Sequence, residues 1–321
     1  MQNVLITGAT GLVGAALVRA FAADGHRVFA AVRNRPRAEA LFADLPSVEI
    51  VAWDVVAAAR PRPCPVPSAQ PLLLVHAAAE TATRNFVERP VETIASILDG
   101  TRNVLEFARE AWVASMVYLS SMEVYGAPSA EHVTEADIGY LDPVRLRSGY
   151  PEAKRMAENL CVAYLHEYGV PVKIARLAQT FGEGVRAEDN RVYAQFARAV
   201  LAGRDIVLKT DGSAARCHCA VGDAVEAIRI LLERGVDGTP YTVANEATFC
   251  TVREMAERLI AAHPESGSKL VFDVSEASAR AYPPASRLKL DSSRLRALGW
   301  VPKVGLSEMF DRMMAGMRAE S

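Results

Sequence analysis

Asn3-Val4-Leu5-Ile6-Thr7-Gly8-Ala9-Thr10-Gly11-Leu12-Val13-Gly14 decides the architecture of this 321-residue chain. Val4, Leu5 and Ile6 are a short apolar run, the mark of a buried strand. Gly8, Gly11 and Gly14 follow, and Leu17, Val18 and Phe21 then recur at helical spacing. Strand, glycine turn and helix, in that order, form the context a dinucleotide-binding turn requires. Gly8 permits the tight turn, Gly11 lets a pyrophosphate approach the backbone, and Gly14 lets helix and strand pack closely. Thr10, Leu12 and Val13 surround the helix N-terminus, whose N–H groups and positive dipole end suit phosphates. The competing reading is a merely glycine-rich turn. The strand before it and the helix after it favour nucleotide binding.

The same alternation continues outward. A strand from Arg27 to Val32 ends in Arg33-Asn34-Arg35. A carboxylate placed there would bind ribose hydroxyls, whereas an Arg suits a 2′-phosphate. Arg33 therefore favours NADP over NAD, against the alternative of a solvated surface side chain. Val48 to Trp53 is a third strand, ending at Asp54-Val55, an adenine contact. Residues 57–71 are Ala- and Pro-rich and read as a loop. Leu72 to Ala79 is a fourth strand whose end, Ala77-Ala78-Ala79, is small enough for a cofactor to come close. Glu80, Thr81 and Arg84 follow on a loop at the substrate end.

Helices are expected over 91–111 and 150–168, with strands at 116–119 and 172–178. Strands alternating with helices imply an α/β fold with a doubly wound parallel sheet, and ligands then lie beyond the carboxyl ends of the strands. Gly8, Asp54, Ala79, Ser121 and Gln179 all fall at those ends. Residues 1–178, with about 214–235, read as the cofactor domain. About 179–213 and 236–321 read as a smaller α/β lobe closing over substrate. Within it Thr251 and Glu254 form a capping box, and Asp291 caps a short helix stopping at Gly299.

Tyr150 and Lys154 lie four apart on one helix and so share a face. An ammonium beside a phenol favours the phenolate and lowers its pKa from about 10. Ser121 closes the strand facing them, where a hydroxyl can polarise a substrate oxygen. That set moves a proton on and off an alcohol while a hydride moves elsewhere. Taken alone, Tyr-x-x-x-Lys is a common spacing; its neighbours give it weight.

Composition narrows the alternatives. Net charge is −2, which gives no surface for nucleic acid. No apolar run reaches the length of a membrane span, and no secretory signal precedes Val4, so a cytoplasmic setting is expected. Cys64, Cys161, Cys217, Cys219 and Cys250 are odd in number and scattered, unlike a disulfide framework. Cys217-His218-Cys219 invites a metal reading. In a strand, however, His218 points away from the two thiols, and no second cluster completes four ligands, so no metal is expected.

Together these segments resemble the extended short-chain dehydrogenase/reductases, in particular the nucleotide-sugar epimerase/dehydratase group. The carriers are Thr7 to Gly14, His76 to Ala79, Ser120 to Gly126, Tyr150 with Lys154, Arg176 to Gly182, and Arg216 before Val221-Gly222-Asp223. The resemblance spans nearly the whole chain and implies a Rossmann-type fold and an NAD(P) cofactor, lined also by Leu177 and Thr180. It implies that Tyr150 is the catalytic base and that Lys154 binds the nicotinamide ribose. Ser121 aligns with the family's Ser/Thr. Gln179 stands where an Asn contacts the sugar diphosphate, and Arg216 matches a diphosphate-binding Arg. Arg280 or Arg287 supplies a further phosphate contact.

Departures from the pattern are informative. Dehydratases carry an Asp-Glu pair where this chain has Met122-Glu123, so elimination of water lacks its acid. Decarboxylases of nucleotide-linked glucuronate keep a Glu at the position of Glu123. The family's relay Asn is replaced by Ile97. The leading expectation is an epimerase-type enzyme working through a transient keto-sugar on a nucleotide sugar. A keto-sugar reductase using NADPH, a nucleotide-sugar decarboxylase and a non-catalytic nucleotide sensor are the alternatives. The resemblance also implies a homodimer through the 91–111 and 150–168 helices, although Met156, Leu160, Tyr164 and Leu165 equally suit an internal core.

Overall fold

A computed structural model describes residues 1–57, 71–186, 188–274 and 286–319. Most of the Ala/Pro-rich stretch, with Cys64 and Arg280, lies outside the described residues. Five strands, β1 (Asn3–Thr7), β2 (Arg27–Val32), β3 (Val48–Ala52), β4 (Leu72–His76) and β5 (Ser115–Ser121), precede the two-residue β6 (His132–Val133). Then come β7 (Val172–Leu177), β8 (Gln179–Phe181), β9 (Ile206–Leu208), β10 (Ala215–Ala220), β11 (Pro240–Val243), β12 (Asn245–Thr251), β13 (Leu270–Phe272) and β14 (Arg287–Leu290). The main sheet is parallel throughout, in the order β3-β2-β1-β4-β5-β7-β11. The chain runs outward from β1 to β3, then restarts on the other side of β1 with β4. That reversal opens the crevice in which sheets of this kind bind ligands.

Both faces of the sheet are apolar because both are covered. Helices α1 (Leu12–Ala23) and α7 (Val221–Arg234) pack Leu17, Val18, Phe21 and Ile228 against Val4, Ile6 and Val117. The short α2 (Arg35–Leu41) and α3 (Asn85–Glu88) lie between strands. On the other face α4 (Pro90–Glu110) and α5 (Gly149–Tyr168) cover Leu5, Leu74, Met116 and Ile174 with Val104, Leu105, Ala153 and Ala157. Each such fully buried Leu or Ile contributes roughly 1.5–3 kcal/mol. Leu160, Tyr164 and Leu165 pack onto this internal core, whereas Met156 is half-exposed.

The strand Pro240–Val243, placed in the smaller lobe by the sequence boundaries, instead joins the main sheet beside β7. The smaller lobe is built from the β12-β10-β14-β6 sheet with β8 on β10, the β9–β13 pair, α6 (Val192–Leu201) and α8 (Val252–Ala262). The capping box at Thr251 and Glu254 is formed, and Asp291 accepts the Ser293 N–H at 2.7 Å. Cys217 and Cys219 lie in the core of β10, and Cys250 in that of the lobe.

A buried charge network ties α5 to the sheet. Arg176 on β7 donates to both Glu158 oxygens of α5, at 2.8–3.2 Å, and to the Glu135 carbonyl at 2.9 Å. Ser120 donates to Glu158 at 2.5 Å, and the Arg176 guanidinium lies over the Tyr125 ring. Glu135 in turn accepts the Thr242 N–H of β11 at 2.8 Å.

His76, at the end of β4, is buried between two threonine hydroxyls. Its Nδ1 is 2.8 Å from Thr7 and its Nε2 3.2 Å from Thr101. Burial, with the nearby Lys154 charge, pulls its pKa down to about 3. The unfolded chain therefore binds a proton below about pH 6.5 that the native state refuses until about pH 3. Stability falls through that window as pH drops, by up to about 1.4 kcal/mol per pH unit. His76→Asn is expected to cost stability at pH 7 yet flatten this slope. Denaturant unfolding at pH 7 and pH 5 measures it, and parallel losses in both proteins would refute the assignment.

Candidate active site

The turn after β1 is shaped for something to lie against it. Gly8 has φ +66°, and a Cβ there would meet the Ala77 carbonyl group and the Ala78 Cα at 2.7 Å. A Cβ on Gly14 would come within 2.2 Å of the Gly8 oxygen, so α1 can approach β1 only through a glycine. The Gly8 oxygen accepts the Gly11 N–H at 2.9 Å. Gly11 caps α1 without a side-chain bond, and no acid occupies the first turn, so the N–H groups around Leu12 and Val13 present a positive helix end. Arg186 of the smaller lobe donates to the Thr10 carbonyl at 2.9 Å. A backbone packed tightly enough to exclude any Cβ, before an uncapped helix end, fits a dinucleotide phosphate.

The remaining sequence-derived positions line the same strand ends. Asp54 accepts the Val56 N–H at 3.1 Å, and Val55 is buried against Gly100, its carbonyl held by Asn103 at 2.9 Å. Arg33 is exposed just beyond β2, while Arg35 is paired with Glu39 at 2.7 Å. Ala77, Ala78 and Ala79 are half-buried past β4. Leu177 ends β7, and Thr180 is buried, donating to the Ala178 carbonyl at 3.0 Å.

Opposite this cradle stands the Tyr150 cluster. Ser121 ends β5, and its hydroxyl accepts the Glu123 N–H at 3.2 Å. The Tyr150 ring stacks on Phe86, centroids 4.1 Å apart. Arg155 of α5 donates to the Val124 and Gly139 carbonyls at 2.8 and 2.7 Å. These bonds pin the Met122–Tyr125 turn that carries Glu123.

The electrostatics differ from the expectation for the Tyr-Lys pair. Burial, reinforced by the Glu123 charge, holds the Tyr150 phenol well above its ordinary range, although Ser121, Arg147 and Arg191 pull it back. Lys154 is on the shared face but donates to the Leu119 carbonyl at 2.8 Å, over the Tyr118 ring. Burial brings the Lys154 ammonium down to about 8. The phenol is raised, not lowered as the spacing from Lys154 leads one to expect, and burial is the largest cause.

Glu123 forms an ion pair with Arg147 at 2.8 Å, and the Arg147 guanidinium lies 4.6 Å from the Phe86 ring centroid. Arg216, lowered by burial, feels the charges of both Glu123 and Arg147. Arg191 is bound by Asp189, lies over the Tyr193 ring, and its charge reaches Tyr150. Gln179 is half-buried on β8, in register with His218 of β10.

Other expected residues have local partners of their own. The Glu80 carboxylate accepts the Ala82 N–H at 2.9 Å within its own loop, and Thr81 is exposed. Arg84 pairs with Glu88 on the surface. Arg287 lies over Phe249; it precedes Leu288, the residue in register with Arg216, and so faces the other side of the sheet. Met122 and Ile97 are both buried in the apolar core. Phe86, Arg147, Asp189 and Arg191 escaped the sequence reading. Only Arg147 left a local signal, three residues before Tyr150 and in the turn Leu146–Ser148 that leads into α5.

A profile of the NAD dependent epimerase/dehydratase family matches residues 4–245. UDP-glucuronic acid decarboxylase 1 of Xenopus tropicalis is 30% identical over 325 residues, covering 99% of this chain and 73% of the relative. Among solved structures, the UDP-glucose 4-epimerase of Thermotoga maritima with UDP-glucose superposes with a TM-score of 0.80 at 20% identity, covering 99% of each chain. The UDP-glucuronic acid 4-epimerase of Bacillus cereus, in complex with UDP-glucuronic acid and NAD, gives 0.78 at 17% identity, covering 100% of each. At these identities the two structures establish the fold.

Proposed function

The chain belongs to the NAD dependent epimerase/dehydratase family, and on that premise we propose that it oxidises a nucleotide-linked uronate to a transient 4-keto sugar and releases its carboxyl group as CO2. The observation that carries this reading is Glu123, ion-paired with Arg147 beside Tyr150, where the neighbouring dehydratase acid is replaced by the buried Met122. The identity with UDP-glucuronic acid decarboxylases along nearly the whole chain supports it.

Tyr150 takes the proton of the 4-hydroxyl, and Ser121 orients that oxygen. A nicotinamide held in this cradle would supply the hydride acceptor for C4 and the donor that restores it. Gly8 to Val13, Asp54, Val55, Ala77 to Ala79, Leu177 and Thr180 would hold the cofactor, with Lys154 on its ribose. Arg216 and Gln179 hold the diphosphate. With a ketone at C4, the carboxylate on C5 is a β-keto acid. The C5–C6 electron pair flows into the carbonyl, CO2 leaves, and a proton returns to C5. Arg33 favours NADP, and with it the second reading, a reductase that consumes NADPH on a keto-sugar. Epimerisation is the outcome if the keto-sugar keeps its carboxyl group.

The cofactor unit would comprise residues 1–178 apart from β6, residues 221–234 and β11, with the remainder and β6 as substrate lobe. The exposed Val91, Met156 and Val162 of α4 and α5 support a homodimer. Incubating the purified protein with UDP-glucuronate should yield a UDP-pentose and CO2 in equal amounts. Mass spectrometry of ligands freed on denaturation should find NAD or NADP. Net NADPH oxidation without CO2 would replace this reading with the reductase.

A further inference from the structure

We propose that Arg147 is the specificity-determining residue that lets this site prefer a sugar bearing a carboxylate over a neutral one. The inference deepens the decarboxylase reading and rests on it for the class of nucleotide sugar. Glu123 alone would repel a substrate carboxylate arriving beside Tyr150. Arg147 removes that obstacle: its Nη2 meets Glu123 Oε1 at 2.8 Å, and both side chains remain partly open to solvent, 38% and 26% exposed. The pair is therefore reachable from solvent rather than sealed in the core.

Three observations tie Arg147 to the reacting centre. Its guanidinium lies over Phe86, 4.6 Å from the centroid, and Phe86 also stacks on the Tyr150 ring. Arg147 and Glu123 act on the Tyr150 phenol in opposite senses. Both also act on Arg216. The arginines whose charge reaches Tyr150 are Arg147 and Arg191, and Arg216 is coupled to Arg147 and Glu123, while Lys154 is held by the Leu119 carbonyl. Arg191 is held by Asp189 through both Nε and Nη2, and Arg216 is suited to the diphosphate. Arg147 meets Glu123 through one nitrogen, and a guanidinium has five N–H donors in a planar fork. It can bridge Glu123 and a second carboxylate, or exchange one for the other. A neutral hydroxymethyl group gains nothing from that fork.

The test uses the full-length protein with Arg147→Met and Arg147→Lys variants. Affinities for UDP-glucuronate, UDP-glucose and UDP are measured by calorimetry, and kcat and KM with UDP-glucuronate. A charge-assisted hydrogen bond lost at Arg147→Met should weaken UDP-glucuronate about 10–100-fold. UDP-glucose and UDP should stay within about threefold, and Arg147→Lys should recover part of the preference. Equal weakening of all three ligands, or no change in any, would overturn the proposal. Should the native protein bind UDP-glucuronate in preference to UDP-glucose without releasing CO2, the decarboxylase reading fails while the assignment of Arg147 stands or falls on the same binding ratio.

Discussion

Tyr150→Phe is expected to lower turnover of the nucleotide sugar about 10²–10⁴-fold, the range contributed by a positioned general base. The substitution is close to isosteric. Phe keeps the stack on Phe86 and fills the same volume, so only the O–H disappears. Lys154 should remain on the Leu119 carbonyl, because that bond does not involve the phenol. Nucleotide and cofactor affinity should consequently change little, and the loss should fall on kcat. Since burial and Glu123 hold the phenol above its ordinary range, it is protonated at neutral pH in the ligand-free protein, and its deprotonation depends on what binds beside it. Steady-state kinetics with calorimetry separate these quantities. A loss below tenfold would remove Tyr150 from the role of base.

The second large effect concerns stability. Arg176→Met leaves the Glu158 carboxylate buried with Ser120 as its remaining bond in the network, and breaking such a pair costs about 3–5 kcal/mol. Native stability is only about 5–15 kcal/mol, so this single change removes a large share. The double change Arg176→Met with Glu158→Leu should recover most of the loss, since neither charge is then stranded. Denaturant midpoints of the two single variants and the double one decide the matter. Equal destabilisation in single and double variants would show that shape, not charge, holds α5 against β7. Because α5 carries Tyr150 and Lys154, any of these variants that folds also reveals how much the active centre depends on that anchor.

Much of the fold was legible because local rules and tertiary structure agree. The glycine spacing from Gly8 to Gly14, the apolar runs and the helical periodicities placed the first strand and the two long helices within a residue of their observed ends, while the fourth strand stops at His76, three residues before Ala79. A strand end pointed to Ser121 and helical spacing to Tyr150 with Lys154, whereas Arg216 came from the family resemblance alone. What escaped was non-local. The four residues of β11 look like any short apolar segment, and only their pairing with β7 assigns them to the main sheet. Arg147 and Glu123 are 24 positions apart, and no periodicity links them. A helical face specifies direction but not the acceptor, and spacing could not reveal that the Lys154 ammonium donates to the Leu119 carbonyl.

The late arrival of β11 bears on how the protein is made. As the polypeptide leaves the ribosome, β7 is complete near residue 177, yet its outer edge has no partner until residues 240–243 follow. Over the same interval α1 lacks α7, which packs on it. An unpaired parallel strand beside an uncovered apolar helix is the kind of intermediate that aggregates. Nascent chains stalled between about residue 180 and residue 240 would be clients for chaperones, and a fragment cut after β7 would behave as one permanently.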